Sequence, residues 1–243
     1  MYDWPEIRGA TDAFWHGLSL HMGWQDELNR ANYAELWRRE DLHFSQTCGY
    51  PLTHEFKDLL TYVATPHYVA DGCDGPNYSS IIFAREAGPL SEFYGSILAI
   101  NTVDSMSGML AAKLVFAPLA SNGEFFRRVK ISGGHRNSLA AVRTKFADIC
   151  AVDAVCVGLA KKHCPEILEG LVEIGRSPSV PGLPFVTKIG DVELLRAALQ
   201  KTFSDENLQP ARQALLLTSF SILPVNAYDQ ILDLENDMPP FML

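Results

Sequence analysis

Asp104, Ser105, Ser107 and Gly108 fall within five residues, between an apolar run at 97–100 and a long helical pattern at 109–120. A strand that stops at such a turn and reopens as a helix leaves the first helical N–H groups without intrahelical partners, at the positive end of the helix dipole. Those amides form a cradle for an anion, Ser105 and Ser107 add hydroxyl donors, and Gly108 allows close approach to the backbone. The same residues also describe an ordinary Ser or Asp N-cap with nothing bound. The rest of the chain has to decide between the two.

Other strand ends carry comparable groups. His135 follows Ser132, Gly133 and Gly134 and precedes Arg136, a set suited to a tetrahedral oxyanion; the alternative is a solvated histidine in a glycine-rich turn. Asp153 stands at a strand-to-helix junction. It reads either as an N-cap or as a cleft residue accepting a hydrogen bond from an amine or a protonated oxygen. Tyr2, Tyr50 and Tyr78 offer hydroxyls or an aromatic wall, or are half-buried packing residues. Together the segments 46–50, 104–107, 132–136 and Asp153 place polar groups at several strand ends. In open parallel sheets that is where ligands bind, so the four are expected to converge on one cleft.

Catalytic signatures are missing. The chain has no GxSxG, HExxH, GxxxxGK[ST] or GxGxxG. The segment 72–75 is a loop, not a phosphate fingerprint, and His16, His21, His43, His54 and His67 lack metal-ligand spacing. Five cysteines contain no CxxC pair, so no zinc or other metal site is expected, and no cofactor. Cys150 and Cys156 read as core thiols; Cys48 and Cys73 sit in loops, paired or unpaired.

The elements that must position these groups follow from periodicity. Pro5 opens a helix that Gly23 stops, and a second helix is expected at 26–39. Strands are expected at 42–47, 60–65, 78–84, 97–100, 127–132, 147–152, 171–175 and 184–188. A short helix capped by Thr53 is expected at 53–59, and residues 66–76 read as a loop. Further helices are expected at 137–145 and 154–162, and beyond residue 191 the pattern is helical only, at 192–203, 208–219 and 227–237. Alternating strands and helices predict parallel α/β layers.

Bulk properties narrow the function classes. At 243 residues, 47% hydrophobic and 20% charged, the composition is globular. A net charge of −9 with no basic run argues against nucleic acid. No apolar run approaches the roughly 20 residues of a membrane span; residues 211–225 come nearest and contain Pro224. The first residues lack the basic and apolar regions of a secretory signal, which fits either a cytoplasmic chain or one that has lost its leader.

The ordered set Ser45–Pro51 (SQTCGYP), Asp104–Gly108 (DSMSG), Ser132–Arg136 (SGGHR), 147–153 (ADICAVD) and 181–185 (PGLPF) resembles the phosphate/phosphite/phosphonate solute-binding proteins of ABC importers. The likeness covers roughly residues 2–190. It implies a type II periplasmic-binding-protein fold, with two three-layer α/β/α lobes around a ligand cleft that closes by hinge motion. Residues 1–98 and 186–243 would form one lobe and 99–185 the other. It implies a small anionic ligand, an ABC permease as partner, and a periplasmic location that the missing leader does not support. In the family's pattern the serine turn (Ser105, Met106, Ser107) and the Gly-His turn (His135) grip the phosphonate oxygens. Gln46, tyrosines 2, 50 and 78, and Asp153 are the further ligand-site candidates. Met106 stands where the family usually has a hydroxyl residue, exchanging a donor for an apolar contact.

Two functions follow. The first is a non-catalytic solute-binding protein or related sensor for a phosphate- or phosphonate-like anion, in which exchanging both Ser105 and Ser107 for alanine weakens binding and leaves the melting temperature nearly unchanged. The second is a cytoplasmic enzyme on the same fold acting on a small metabolite, with Cys48, His135 and Asp153 as its catalytic set. Absence of a visible nucleophile–base pair favours the first.

Overall fold

The computed structural model describes residues 2–25, 27–224 and 226–243. Pro5 starts a 3-10 turn that runs into α1 (Arg8–Met22), which ends where Gly23 takes the left-handed conformation (φ +70°). Only Tyr33–Arg38 (α2) of the expected second helix is helical, capped by Asn32; its expected first residue, Asp26, lies outside the described residues. Next come β1 (Ser45–Gln46), α3 (Gly49–Thr53) and β2 (Thr61–Tyr68). Thr53 ends a helix instead of capping one, its hydroxyl donating to the carbonyls of Gly49 and Tyr50.

The expected loop at 66–76 is partly extended: β2 reaches Tyr68, and β3 (Cys73–Asp74) pairs with β4 (Asn77–Tyr78). Strands β5 (Ser80–Ala84) and β6 (Ile97–Ile100) precede a helical run that begins as a π-turn at Met106–Leu110 and continues as α4 (Ala111–Phe116). Then follow β7 (Arg128–Ile131), α5 (His135–Arg143), β8 (Ile149–Asp153), α6 (Ala154–His163), β9 (Val172–Arg176), β10 (Val180–Pro181), β11 (Phe185–Thr187) and α7 (Val192–Ser204). The last elements are α8 (Gln209–Ala214), β12 (Leu217–Ser221) and α9 (Asp229–Asp237). The helical-only ending is therefore corrected. Leu216 adopts φ +60°, which stops the helix and turns the chain into β12.

Three sheets result. One has the order β1-β11-β2-β12 with every pairing antiparallel, a second β10-β4-β3, and a third β7-β6-β8-β5-β9. Only β7, β6 and β8 are mutually parallel; β5 runs antiparallel to both β8 and β9. The expectation of parallel layers thus holds for the centre of one sheet. Alternating periodicity cannot separate a crossover that stays in its sheet from one that changes sheets. The five-stranded sheet extends from Ser80 to Arg176, and the chain enters and leaves it through the small sheet containing Tyr78 and Val180.

This arrangement carries the site. Parallel pairing of β6 with β7 (Ile100 opposite Ile131) and of β6 with β8 brings the polar turns after Ile100, Ile131 and Val152 to one end of the sheet. Ile81, Ile82, Leu98, Ala99, Cys150 and Val152 are buried on its two faces, which fixes register and keeps those turns in place. The five cysteines are free thiols, so Cys48 and Cys73 are not bridged. Among the described residues no helix is long and apolar enough to cross a membrane.

Candidate functional site

The serine turn begins where β6 ends. Ser105, in extended conformation, is the N-cap of the helical run: its Oγ accepts from the Gly108 amide at 3.0 Å, and its carbonyl accepts from Met109 and Leu110. Gly108 is required here, because a Cβ at that position would lie 1.8 Å from Asn101 Oδ1. The Gly-His turn hooks onto the same place. The amides of Ser132 and Gly133 donate to the carbonyls of Ile100 and Asn101 at 2.8 and 2.9 Å, and Gly133 has φ +84°. Gly134 then precedes α5, whose first residue is His135.

The two turns meet through side chains. Ser107 Oγ lies 2.9 Å from His135 Nε2 and 3.4 Å from Ser105 Oγ. Burial pushes the His135 pKa down to about 4, so the ring is neutral near pH 7. Its Nδ1 faces the Ala151 carbonyl without completing a hydrogen bond. The Tyr78 hydroxyl is buried and approaches Ser107, also without completing one.

Asp153 occupies the end of β8 and does what an N-cap does. Oδ1 accepts from the amides of Val155 and Cys156 at 2.7 and 3.4 Å. Its other oxygen accepts from the Tyr2 hydroxyl at 2.8 Å, and burial raises its pKa to about 6. Tyr2 packs edge-on against Tyr68, whose hydroxyl accepts from Gln46 Nε2; Gln46 also donates to the Leu183 carbonyl.

These groups share one cavity of about 790 Å³. One wall carries Ser105, Ser107, Gly133, Gly134, His135 and Asp153, and the other carries Tyr2, Gln46, Cys48 and Tyr68. Of the candidates read from sequence, Tyr2, Gln46, Ser105, Ser107, His135 and Asp153 line it. Three do not line the cavity. Tyr78 is buried behind the serine turn. Tyr50 lies on α3 with its ring stacked on His54 (centroids 3.8 Å apart) and its hydroxyl donating to Glu235, because the helix starts at Gly49 and turns this residue toward α9. Met106, one residue from each serine on the helical turn, points the opposite way into the core and is 1% exposed. Arg136 is also displaced from the role its position suggested. Its guanidinium makes a bidentate pair with Glu6 at 2.6 and 2.9 Å and covers the Trp4 ring.

Tyr68 enters the wall unannounced by sequence, because it lies in the stretch expected to be a loop and is instead the last residue of β2. Cys48 is expected at the cleft within the segment 46–50, as a catalytic candidate and not as a ligand-site residue. Among the described lining residues the cationic side chains are Arg30 and Arg39, and each is engaged by carboxylates: Arg30 by Asp3 and Asp12, Arg39 by Asp41. An oxyanion beside Ser107 would be held by neutral hydroxyl and amide donors rather than by a free cation. The Cys48, His135 and Asp153 side chains border one cavity, yet among the described residues no hydrogen bond joins any two of them. Burial pushes the Cys48 thiol up to about 11, away from a nucleophilic thiolate. No cluster of three potential metal ligands occurs among the described residues.

Comparison with known proteins gives a family and a fold. A family model described as "ABC transporter, phosphonate, periplasmic substrate-binding protein" matches residues 29–227. No curated protein sequence matches the chain. Among solved structures, a binding-protein component of an ABC phosphonate transporter from Pseudomonas aeruginosa is 18% identical (TM-score 0.74), covering 93% of this chain and 81% of that one. PhnD1 from Prochlorococcus marinus in complex with methylphosphonate is 13% identical (TM-score 0.72; 94% and 93% covered). XAC2383 from Xanthomonas citri, bound to ATP, is 18% identical (TM-score 0.69; 95% and 92% covered). At these identities the likenesses establish the fold, a two-lobed type II binding-protein architecture.

Proposed function

Because the chain belongs to the phosphonate periplasmic substrate-binding family of ABC transporters, we propose that its cavity holds a small phosphonate- or phosphate-like anion and releases it unchanged. The observation that carries this reading is the Ser107–His135 bond, which joins two strand-end turns at the edge of a cavity shared by both walls. The ligand's oxygens bond to Ser107 and to exposed turn amides. The Ser107–His135 bond fixes the serine oxygen at the edge of the cavity, where its remaining hydrogen-bonding capacity faces the ligand.

Binding in such a cavity requires opening. Sheet membership changes between Tyr78 and Ser80 and again between Arg176 and Val180. These two crossings support a division into a lobe of residues 2–79 and 177–243 and a lobe of residues 80–176, both boundaries falling earlier in the chain than those at 98 and 186 that the sequence suggested. Hinge motion at the crossings admits the ligand, and the closed form is the one presented to a permease partner.

Methylphosphonate, the ligand of the Prochlorococcus relative, is the natural probe. Calorimetry is expected to give saturable one-to-one binding, with phosphorus NMR finding the same molecule after denaturation. Absence of binding by methylphosphonate and phosphate, or conversion of either to a new phosphorus species, contradicts the reading.

A further inference from the structure

The cavity is larger than a phosphonate head group needs. Its volume of about 790 Å³ falls in the range of roughly 300–1,000 Å³ that encloses drug-sized molecules. Parted walls do not account for the room, because they already touch: the Tyr2 hydroxyl donates to Asp153 at 2.8 Å, and Arg136 donates to Glu6.

Much of the additional lining is aromatic. Helix α1 contributes Trp15, the chain past the Gly23 stop contributes Trp24, the approach to β1 contributes Phe44, and β11 contributes Phe185. Trp15 and Trp24 stack with centroids 5.8 Å apart, and Phe44 lies 6.4 Å from Trp15 and 5.1 Å from Phe185. The four rings therefore form one continuous surface. Trp15, Trp24 and Phe44 are only half-buried, so part of that surface is left uncovered by the protein itself. A line of contacts joins it to the polar end. Phe44 precedes Gln46 by two residues, about 7 Å of extended chain, and Gln46 stands opposite Phe185 in the β1–β11 ladder. The Gln46 amide donates to the Tyr68 hydroxyl, Tyr68 packs on Tyr2, and Tyr2 bonds Asp153. Polar turns and aromatic rings are thus two regions of one cavity.

A methyl substituent leaves the rings in water, whereas a flat apolar substituent covers them and stacks on them. We infer that the ligand is a phosphonate or phosphate monoester whose organic part carries an aromatic ring, with its oxyanion at the serine and Gly-His turns and its ring on the Trp15–Trp24–Phe44 surface. This rests on the binding function proposed above and names the substrate class of the same cavity.

The test is calorimetry of wild type with methylphosphonate, aminoethylphosphonate, phenylphosphonate and the phenylalkylphosphonates with two- and four-carbon spacers. The tightest of the three aryl probes is expected to bind about tenfold or more tighter than methylphosphonate, as burial of a ring implies. Trp24→Ala and Phe44→Ala are each expected to cut that preference at least about threefold. Wild type that binds every aryl probe within about twofold of methylphosphonate, or that prefers aminoethylphosphonate to all of them, overturns the inference and leaves the binding function standing. Wild type binding none of the probes removes the function and this inference with it. If the alanine variants fail to fold, proton NMR of wild type saturated with the tightest aryl probe decides the matter: Overhauser contacts between its phenyl protons and indole protons are expected, and their absence overturns the placement.

Discussion

Ser107 Oγ and His135 Nε2 lie 2.9 Å apart although 28 residues separate them in the chain. The bond exists because β6 and β7 run parallel and in register, so the turn after each strand opens at the same end of the sheet. A pair of loops that are individually unremarkable thereby becomes a donor array.

The two serines of the turn have different jobs, and the difference is measurable. Ser105 caps the helical run through Gly108, whereas Ser107 caps nothing and faces the cavity beside His135. Ser105→Ala is expected to lower stability by about 1 kcal/mol, a few degrees in melting temperature for a chain of this size. Ser107→Ala is expected to leave melting nearly unchanged while weakening methylphosphonate about tenfold. The expectation that both serines could be removed together without thermal cost is thus revised. Equal melting of the two single variants would contradict the assignment.

Gly108→Ala is the sharpest backbone test. Its Cβ would meet Asn101 Oδ1 at 1.8 Å, Asn101 Cγ at 2.8 Å and the Asn101 backbone nitrogen at 3.2 Å, so the Asn101 side chain would have to leave the turn. A loss of stability above about 2 kcal/mol is expected in urea titration, together with loss of methylphosphonate binding. A variant as stable as wild type would mean that the turn is not held as described.

Two buried titrating groups oppose each other in acid. Asp153 has its pKa raised to about 6 in the folded chain against about 4 unfolded. Between those values the folded state holds a proton the unfolded state lacks, so this group adds stability as pH falls. His135 has its pKa lowered to about 4 against about 6.5 unfolded, so it removes stability as pH falls through the same interval. Asp153→Asn, which keeps a capping side chain, is therefore expected to lose more stability than wild type on going from about pH 6.5 to 4. His135→Asn is expected to lose less than wild type. Urea midpoints across that range check both, and parallel pH profiles for all three proteins would refute the pairing.

Much of this arrangement could be read from residue types alone. The Pro5 start and Gly23 stop of α1, the Asp153 cap of α6 and the polar turns after β6 and β7 are local signals, and local chemistry decides them. The failures are tertiary or conformational. Leu216 in the left-handed region ends α8 and begins β12, a choice no periodicity announces for a leucine. The apolar spacing at 208–219 fitted a helix until that residue broke it. Cys48 borders the cavity and Tyr50 does not because α3 starts at Gly49, four residues before the expected Thr53, and a shift of that size redirects every side chain on the turn. The antiparallel order of the first sheet depends on which strand returns beside which, information that spacing along the chain does not contain.

Glu6 and Arg136, which the proposed division puts in different lobes, pair outside the cavity at 2.6 and 2.9 Å, with the guanidinium over the Trp4 ring. Each side chain is about one-third exposed, so the pair is worth little in isolation. Arg136→Ala is expected to speed methylphosphonate release about two- to fivefold while leaving the methylphosphonate-to-phosphate ratio unchanged. Stopped-flow tryptophan fluorescence reads the rate. A changed ratio would place Arg136 in the ligand site, and an unchanged rate would deny it a part in closure.

A crystal structure of the chain grown with methylphosphonate tests the central claim most directly. The account predicts phosphonate oxygens within hydrogen-bond distance of Ser107 Oγ and of the turn amides beside His135, with the Ser107–His135 bond retained. A ligand bound away from the serine turn, or a cavity that stays closed around an unchanged Tyr2–Asp153 bond with the probe excluded, would contradict it.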